Sequence, residues 1–300
     1  MEIGIIGAGS VGLLFASYLN NSFPIRIYTR TFEQAEEINK KGILLQKELK
    51  EKRVNVTAFP ISKWTGKEDL TIIAVKQYQL PSILDLLHKF DSFPQNLLFL
   101  QNGMGHLKYL ESIPVPNIFV GSVEHGASKI NSYTVRHNGE GSINVALFKG
   151  DSFRLKEFSE AGASVNFQIN MQEDYYEMLI NKLIANAVIN PLTAILQVEN
   201  GELISNPHYF AAVKKLFLEI SYVLNLQNPI RKFRDMIRIC KKTAANRSSM
   251  LKDIEAGSKT EIDAILGFLL DEAAIQKKNA SNIKTYYLLI KGKEHRRRVN

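Results

Sequence analysis

Apolar runs and helical patterns alternate through the first half of the chain. Compact apolar runs predict buried strands, and apolar residues at helical spacing predict helices. In chain order these are a strand at Ile3–Ile6, a helix at Val11–Leu19, a strand at Ile25–Tyr28, a helix at Thr31–Lys41, a strand at Leu70–Val75, a helix at Leu80–Phe90 and a strand at Leu97–Leu100. This alternation predicts right-handed βαβ crossovers and a parallel sheet.

A turn signal follows the alternating region. Asn138-Gly139-Glu140-Gly141 separates two β-type runs, Tyr133–Arg136 and Ser142–Leu147. Asn and Gly adopt the backbone conformations that tight turns need. We expect the two runs to form a β-hairpin.

The pattern becomes helical after about residue 170. Asn206 and Pro207 form a good cap and first-turn pair for one helix. The predicted helices are Glu173–Ile189, Tyr209–Leu224, Pro229–Ala245, Ser248–Ala256 and Thr260–Lys277. No low-complexity linker separates the two patterns. We therefore predict an α/β chain with an N-terminal Rossmann-like parallel-sheet domain at 1–170 and an all-helical C-terminal domain at 171–300.

Composition narrows the class of protein. Of the 300 residues, 45% are hydrophobic and 23% are charged, as is usual for globular proteins. No apolar run is expected to reach the roughly 18–20 residues of a membrane span, and the N-terminus lacks the basic region of a secretory signal. Cys240 is the only cysteine, so neither an intramolecular disulfide nor a cysteine-rich metal site is expected. These features predict a cytoplasmic protein with no membrane partner and no bound metal.

The net charge of +8 comes partly from a terminal run of basic residues, Lys291, Lys293, Arg296, Arg297 and Arg298. We interpret this run as a solvated tail, because no motif that reads nucleic acid accompanies it. A moderately basic protein also attracts anionic small molecules. The charge therefore suits a phosphorylated cofactor and a carboxylate substrate, and it predicts no nucleic-acid partner.

The segment Gly7-Ala8-Gly9-Ser10-Val11-Gly12 fits the pattern G-x-G-x-x-G directly after a strand and at the start of a helix. In that context the pattern indicates a dinucleotide site, and we predict that the whole segment binds the cofactor. Gly7 permits a tight turn, Gly9 lets the backbone approach a pyrophosphate, and Gly12 lets the helix pack close to the sheet. The N–H groups at the start of the helix suit the phosphates.

The end of the second predicted strand indicates which dinucleotide binds. An NAD site usually has an Asp or Glu there, which accepts a hydrogen bond from the ribose 2′-hydroxyl. This chain has Tyr28-Thr29-Arg30-Thr31 instead. No carboxylate opposes a 2′-phosphate, and the planar guanidinium of Arg30 can pair with one. The sequence therefore predicts NADPH as the cofactor, with Arg30 in contact with it.

Two later strands also end in polar residues. Lys76 follows the strand that ends at Val75, and Asn102 follows the strand that ends near Leu100. Ligands of open α/β sheets bind outside the carboxyl ends of the strands. We expect Lys76 and Asn102 to meet the cofactor or substrate, although both residue types are also common in loops.

Lys182, Asn186 and Asn190 recur at every fourth position of an otherwise largely apolar segment. On a helix this spacing forms one polar stripe. Carbonyl reduction needs a hydride donor and a proton donor, and a lysine ammonium can supply the proton and stabilise the developing alkoxide. The stripe is therefore a candidate site for reduction of a carbonyl. The solvated face of an amphipathic helix is the other interpretation.

A partly buried lysine needs a nearby carboxylate to stay protonated, because desolvation lowers its pKa. Glu261 is the candidate for this partner. It also completes the pattern Ser258-x-x-Glu261, which is typical of a capping box at the start of a helix. Ser249 has the same ambiguity, because serine often caps the helix that follows it.

Together these motifs resemble those of ketopantoate reductases, and the resemblance covers almost the whole chain. The stretch Lys182–Ile195 and the run Ser248-Ser249-Met250-Leu251 are much more specific than the glycine motif. The full set of matching segments is Gly7–Gly12, Val75–Gln79, Gln101–Gly103, Asn181–Thr193, Asn200–Leu203, Ser248–Ile254 and Thr260–Asp263. The resemblance implies a Rossmann domain and an all-helical domain, with the active site in the cleft between them.

The resemblance also implies a role for each candidate residue. Lys182 would be the general acid, and Glu261 would hold the lysine and the substrate in position. Lys76 and Asn102 would lie beside the nicotinamide and ribose. The positions implied to bind the substrate are Asn102, Asn186, Asn190, Asn200, Asn246 and Ser249.

The implied activity is the NADPH-dependent reduction of 2-dehydropantoate to (R)-pantoate, a step of pantothenate and coenzyme A synthesis, by a monomer or homodimer. Two alternatives stay open. The same machinery could act on another small 2-keto acid, or the chain could be a dinucleotide-binding sensor without catalytic activity. β-Hydroxyacid dehydrogenases also join a Rossmann domain to a helical domain around a lysine, but the runs Ser248–Leu251 and Asn200–Leu203 speak against that family.

Overall fold

The structure, a computed structural model, describes residues 1–164 and 167–296 of the chain. The chain folds into two compact units. The first consists of Met1–Gln101 and Tyr109–Met178, and the second consists of Asn102–Lys108 and the chain from Leu179 onward. The short segment after Gln101 therefore belongs with the helical part of the chain.

The first unit holds the strands of the described chain. These are β1 (Ile3–Ile6), β2 (Ile25–Thr29), β3 (Ile43–Lys47), β4 (Lys50–Val54), β5 (Thr57–Pro60), β6 (Leu70–Ile73), β7 (Asn96–Phe99), β8 (Asn117–Val123), β9 (Gly126–Lys129), β10 (Thr134–Gly139), β11 (Ile143–Lys149) and β12 (Ile169–Gln172). The helices before residue 165 are α1 (Ser10–Leu19), α2 (Phe32–Lys41), α3 (Leu80–Leu87), the one-turn α4 (Leu107–Leu110) and α5 (Phe153–Ser164).

Eight strands form the main sheet, in the order β12-β11-β8-β7-β6-β1-β2-β5. Neighbouring strands are parallel except for β8 and β11, which confirms the predicted parallel sheet. Every residue of β1 and β6 is buried, as expected for central strands covered on both faces. The carboxyl ends of β2, β1, β6 and β7 meet along one edge of this sheet, where ligands of such folds bind.

A second sheet contains four strands in the order β4-β3-β10-β9. It shows that the hairpin predicted across Asn138–Gly141 is wrong. β10 pairs with β3 and β9 in the small sheet, whereas β11 pairs with β8 and β12 in the main sheet. The turn residues allow the chain to change direction, but each strand finds its partners in a different sheet.

A chain of partly buried rings joins the small sheet to α1. The backbone N–H of Gly141 donates to Nδ1 of His125, at 3.2 Å. Since Nδ1 of His125 is an acceptor, His137 must donate to it from Nε2, at 3.1 Å. Nδ1 of His137 then accepts from the hydroxyl of Tyr18, at 2.8 Å. Burial lowers the pKa of both histidines, that of His125 to about 4, so these rings are neutral at pH 7.

Within the described residues, the regular elements of the second unit are all helices or helical turns. Its elements are α6 (Tyr175–Leu196, beginning in the first unit), α7 (Glu202–Ser205), α8 (Pro207–Val223), α9 (Pro229–Lys242), α10 (Ser249–Glu255), a π-helical turn (Asp263–Gly267), α11 (Phe268–Ile275) and α12 (Ser281–Arg296). α6 continues beyond the predicted end at Ile189 and passes through Pro191. Proline removes a backbone donor from a helix. The hydroxyl of Thr193 donates to the carbonyl oxygen of Ile189 in the same turn, at 2.7 Å.

Two helices begin with side-chain caps. The predicted cap Asn206 is confirmed, because its side chain accepts hydrogen bonds from two backbone N–H groups of the first turn of α8. Ser248 caps α10 by accepting from the N–H of Leu251, at 3.1 Å. Ser249 is therefore the first residue of α10 and not its cap.

The predicted basic tail belongs in part to α12, which the sequence patterns did not predict. Lys291 lies 3.3 Å from the carboxylates of both Asp263 and Glu294. The interpretation as a solvated tail is therefore wrong for Lys291, which joins α12 to the π-helical turn. Arg297 and Arg298 lie outside the described residues.

Helix α6 is long and apolar enough, by length and composition, to cross a membrane. This corrects the expectation that no segment reaches such a length. In the structure, 72% of its most apolar window is buried inside the protein. A central core helix is apolar on all sides, so it has the same composition as a membrane span.

His106, in the segment Asn102–Lys108, is completely buried. Neither of its ring nitrogens has a hydrogen-bond partner among the described residues. Burial lowers the pKa of His106 to about 4, because a charged ring would lose its hydration.

We expect this histidine to make the folded protein less stable as the pH falls from 7 to 5. The unfolded chain binds a proton at a pKa of about 6.5, whereas folded His106 stays neutral down to about pH 4. Its contribution to the loss of unfolding free energy at pH 5 is about 2 kcal/mol. Urea denaturation at both pH values measures this loss. His106→Leu should lose less stability between them, and equal losses in variant and wild type would contradict the assignment.

Candidate active site

The loop between β1 and α1 has the geometry of an anion-binding turn. At Gly12, a Cβ would lie 1.8 Å from the carbonyl oxygen of Gly7, which itself has a φ of +107°. Only glycine fits either position. A Cβ at Gly9 would meet nothing within 4 Å among the described residues, and no side chain caps α1. The N–H groups of its first turn are left for an external acceptor, so these residues fit the pyrophosphate of a dinucleotide.

Arg30 follows the last residue of β2 and is exposed. The next residue, Thr31, caps α2 by accepting from the N–H of Gln34. The side-chain amide of Gln34 donates to the carbonyl oxygen of Ala8, at 3.0 Å. The start of α2 is thus tied to the glycine loop, and Arg30 lies at the carboxyl edge of the sheet beside it.

Gln101 holds the ends of two neighbouring strands. Its side-chain amide donates to the carbonyl oxygens of Ile73, at 2.9 Å, and Val75, at 3.0 Å. These bonds fix the point at which the chain leaves β6, just before Lys76. Gln101 lies in one of the segments that resemble the family, but its role was not predicted from the sequence. The sequence signal that could have identified this role is a polar residue directly after a predicted buried strand.

The polar stripe lies on α6 as predicted, but it is not a solvated face. Asn190 is buried, Lys182 and Asn186 are partly buried, and the residues between them are buried. Nδ2 of Asn190 lies 3.5 Å from the hydroxyl of Ser249, at the start of α10. Polar groups at this depth normally have partners, which a bound ligand or water can supply.

Asn102 and Glu261 meet within the second unit, although 159 positions separate them in the sequence. Nδ2 of Asn102 donates to Oε2 of Glu261, at 2.8 Å. The next residue, Gly103, has a φ of +77°, and a Cβ there would lie 2.1 Å from the carbonyl oxygen of Ala264. The segment after Gln101 therefore rests directly on the π-helical turn. Wide turns of this kind are frequent at functional sites.

The C-terminal helix holds the backbone on the other side of Glu261. Oε1 of Glu294 accepts from both the N–H and the hydroxyl of Thr260, at 2.8 and 2.7 Å. Lys291 neutralises Glu294, whose side chain is only 7% exposed, and also contacts Asp263. Hydrogen bonds to charged groups are stronger than neutral ones. The position of the Glu261 carboxylate is thus determined by α12 as well as by Asn102.

The capping box predicted for Ser258 and Glu261 does not form. Thr260 takes the capping role instead, because its hydroxyl accepts from the N–H of Ile262, at 3.2 Å. The side chain of Ser258 makes no hydrogen bond within the described part of the chain. The carboxylate of Glu261 is directed to Asn102.

Asn200 and Asn246 lie together at the start of α7. The backbone N–H of Asn200 donates to the carbonyl oxygen of Asn246, at 3.0 Å. The Asn200 amide donates to the hydroxyl of Thr243, at 2.9 Å, while its buried Oδ1 has no partner among the described residues. The side chains of Asn246 and Ser249 are exposed. The buried, unpaired oxygen of Asn200 is suited to a polar ligand or a water molecule.

The structure thus pairs Asn102 with Glu261 and Asn190 with Ser249, all within the second unit. The glycine loop, Arg30 and Lys76 belong to the first unit. The supporting residues that sequence reasoning did not identify are Gln101, Thr260, Lys291 and Glu294. The last two left no signal, because only tertiary packing brings α12 to Thr260.

Known proteins are similar to this chain over its whole described length. A family model described as ketopantoate reductase PanE/ApbA matches residues 3–150, and the model of its C-terminal part matches residues 174–294. A 2-dehydropantoate 2-reductase of Bacillus subtilis is 42% identical over 296 residues, which is 98% of each chain. One of Listeria innocua is 36% identical over 304 residues, covering 100% of this chain and 99% of its own.

Solved structures are also similar to this chain. A "probable 2-dehydropantoate 2-reductase" of Bacillus subtilis superposes with a TM-score of 0.88 at 41% identity, covering 98% of this chain and 100% of its own. A ternary structure of D-mandelate dehydrogenase with NADH and anilino(oxo)acetate has a TM-score of 0.90 at 21% identity, covering 100% of both chains. At that identity the second likeness concerns the fold alone.

We expect Gly103→Ala to destabilise the second unit and to displace Asn102 from Glu261. The new Cβ would collide with the carbonyl oxygen of Ala264, and the positive φ would be strained. A loss of about 2–4 kcal/mol in unfolding free energy is expected from the two effects. Urea denaturation measures the loss. Gly139→Ala is the matched control, because a Cβ there meets nothing within 4 Å. Similar stabilities of the two variants would contradict the close contact.

Proposed function

The chain belongs to the ketopantoate reductase family, and on that basis we propose that it reduces 2-dehydropantoate to (R)-pantoate with NADPH. The observation that carries the proposal is the 42% identity, over 98% of both chains, to a 2-dehydropantoate 2-reductase. The reaction would serve the synthesis of pantothenate and coenzyme A.

The first unit supports NADPH as the cofactor. The open space at Gly9 and the uncapped first turn of α1 suit the pyrophosphate. Arg30 stands where an NAD site has a carboxylate, so it favours a 2′-phosphate over a free 2′-hydroxyl. These residues would hold NADPH, which when bound would supply the hydride for reduction of the carbonyl. The proposed contacts of the cofactor are Gly7, Ala8, Gly9, Ser10, Val11, Gly12, Arg30, Lys76 and Asn102.

Lys182 is the proposed general acid. As a hydride adds to the carbonyl carbon, Nζ of Lys182 gives a proton to the carbonyl oxygen, so the ketone becomes an alcohol with one new C–H and one new O–H bond. The ammonium also stabilises the charge that develops on that oxygen. Glu261 keeps the lysine and the substrate in position, and its contacts with Asn102 and the support of Thr260 favour a fixed geometry. The proposed substrate contacts are Asn102, Asn186, Asn190, Asn200, Asn246 and Ser249.

We propose residues 1–170 as the NADP-binding domain and 171–300 as the substrate and catalytic domain of a cytoplasmic monomer or homodimer. Cys240 is the single cysteine of the sequence, which suits a reducing compartment. Burial raises the pKa of its thiol to about 11, which leaves it unreactive. Another small 2-keto acid is the alternative substrate, since amides and hydroxyls would bind any carboxylate beside a carbonyl.

The substrate is tested by following NADPH absorbance with 2-dehydropantoate and two other 2-keto acids, with NADH in parallel. We expect rapid turnover of 2-dehydropantoate and a clear preference for NADPH. Turnover of a different keto acid alone would keep the chemistry and replace the substrate. NADPH binding without turnover of any keto acid would favour a dinucleotide sensor.

The general acid is tested with Lys182→Ala. We expect kcat to fall by about 10²–10⁴-fold, the usual contribution of one general acid, while the Kd of NADPH stays within a few-fold of the wild type. Stopped-flow kinetics and fluorescence titration measure the two quantities. Lys252→Ala, which removes an exposed lysine of α10, controls for the lost charge. An unchanged kcat in Lys182→Ala would exclude this lysine as the acid.

A further inference from the structure

We infer that the hairpin of β9 and β10 forms part of the dinucleotide site, and that Lys129 binds the 2′-phosphate together with Arg30. The inference rests on the proposed use of NADPH. It adds a residue from a distant part of the chain, in the small sheet, to a site otherwise built by the strand ends of the main sheet.

Gln34 places the tip of this hairpin against the glycine loop. Its side-chain amide donates to the carbonyl oxygen of Ala8, at 3.0 Å, and to that of Ser132, at 2.8 Å. Ser132 lies between β9 and β10, and its hydroxyl also donates to Glu37 of α2. One amide therefore joins the turn that receives the pyrophosphate to the tip of the hairpin.

The path of β10 along α1 agrees with this placement. His137 of β10 meets Tyr18 near the end of α1, through the hydrogen bond between the rings. Five strand residues span about 17 Å, so Ser132 lies about that far from His137. The distance from Tyr18 back to the start of α1 is about 12 Å. The tip of the hairpin therefore reaches the N-terminal end of α1, where the phosphates of the dinucleotide would bind.

The register of the hairpin sets the face on which Lys129 lies. Lys129 is directly opposite Val135, and Ala127 is opposite His137. Residues that are directly opposite point to the same face of a sheet. Val135 is completely buried in the core of the first unit, and Ala127 packs against that core. Lys129 therefore lies on the same face of the hairpin as Val135 and Ala127, at the exposed end nearest the glycine loop.

The electrostatics agree with a shared anion. Desolvation by the neighbouring protein, and then the nearby guanidinium of Arg30, lower the pKa of Lys129, although its side chain still reaches solvent. No carboxylate pairs with Arg30 or Lys129 within the described part of the chain. Two cations held near each other repel unless an anion lies between them. A phosphate monoester carries nearly two negative charges and can accept hydrogen bonds from the planar guanidinium and from the ammonium at once.

The test measures binding of adenosine 2′,5′-bisphosphate and of 5′-AMP by isothermal titration calorimetry. The two probes differ only in the 2′-phosphate. We expect Lys129→Gln to raise the Kd of the bisphosphate about tenfold, as for the loss of one charge-assisted contact. The Kd of 5′-AMP should stay unchanged. Lys129→Arg should restore most of the affinity. Lys50→Gln, which removes an exposed lysine of the same small sheet, controls for the lower net charge and should bind both probes as the wild type does.

The outcomes separate this inference from the proposed cofactor. A wild type that binds both probes equally would overturn the preference for NADPH, and the role of Lys129 with it. A wild-type preference that Arg30→Gln abolishes and Lys129→Gln leaves intact would overturn the role of Lys129 alone. An equal loss of affinity for the bisphosphate in Lys129→Gln and Lys50→Gln would show a general effect of net charge. That result would also overturn the role of Lys129.

Discussion

The first unit depends on a close backbone approach at Gly12, where the carbonyl oxygen of Gly7 leaves no room for a Cβ. This contact seats α1 against the strand it follows and aims its first turn at the carboxyl edge of the sheet. The other features of the unit build on that placement. Gln34 ties α2 to the same loop, and the chain of rings from Tyr18 to His125 fastens the small sheet along α1. The first turn of α1, which no side chain caps, thereby lies at the same edge of the sheet as Arg30.

The second unit contains a similar close backbone approach at Gly103, which packs against the carbonyl oxygen of Ala264. A residue with a side chain at this position would lift the segment and separate Asn102 from Glu261. On the opposite side, the carboxylate of Glu294 holds both donors of Thr260, and Lys291 compensates its charge. Buried charges are costly unless they are paired and hydrogen-bonded. The network meets that condition, so it can position Glu261 without leaving an isolated charge in the core.

The two units divide the requirements of a keto acid reductase between them. A dinucleotide needs backbone donors and cations, which the glycine loop and the strand ends of the first unit contain. A general acid and a polar substrate need a lysine, amides and hydroxyls on rigid elements, which α6 and α10 of the second unit contain. The proposed general acid and the proposed substrate contacts on α6 and α10 thus lie on helices whose other faces are packed, which limits their motion and favours electrostatic preorganisation.

The sequence by itself determined the features that depend on neighbouring residues. Apolar runs predicted the central strands, the glycine spacing predicted the turn before α1, and Asn206 with Pro207 predicted the start of α8, because each signal acts within a few residues. Tertiary structure alone decided the features that depend on distant partners. Local turn residues could not show that β10 and β11 join different sheets, and Pro191 did not end α6 because the packed helix around it outweighs one lost hydrogen bond. The pattern of α12 gave no sign that Glu294 reaches Thr260, nor did that of β9 show that Lys129 lies near Arg30. Such contacts arise from the free energy of packing whole elements together, which no short stretch of sequence encodes.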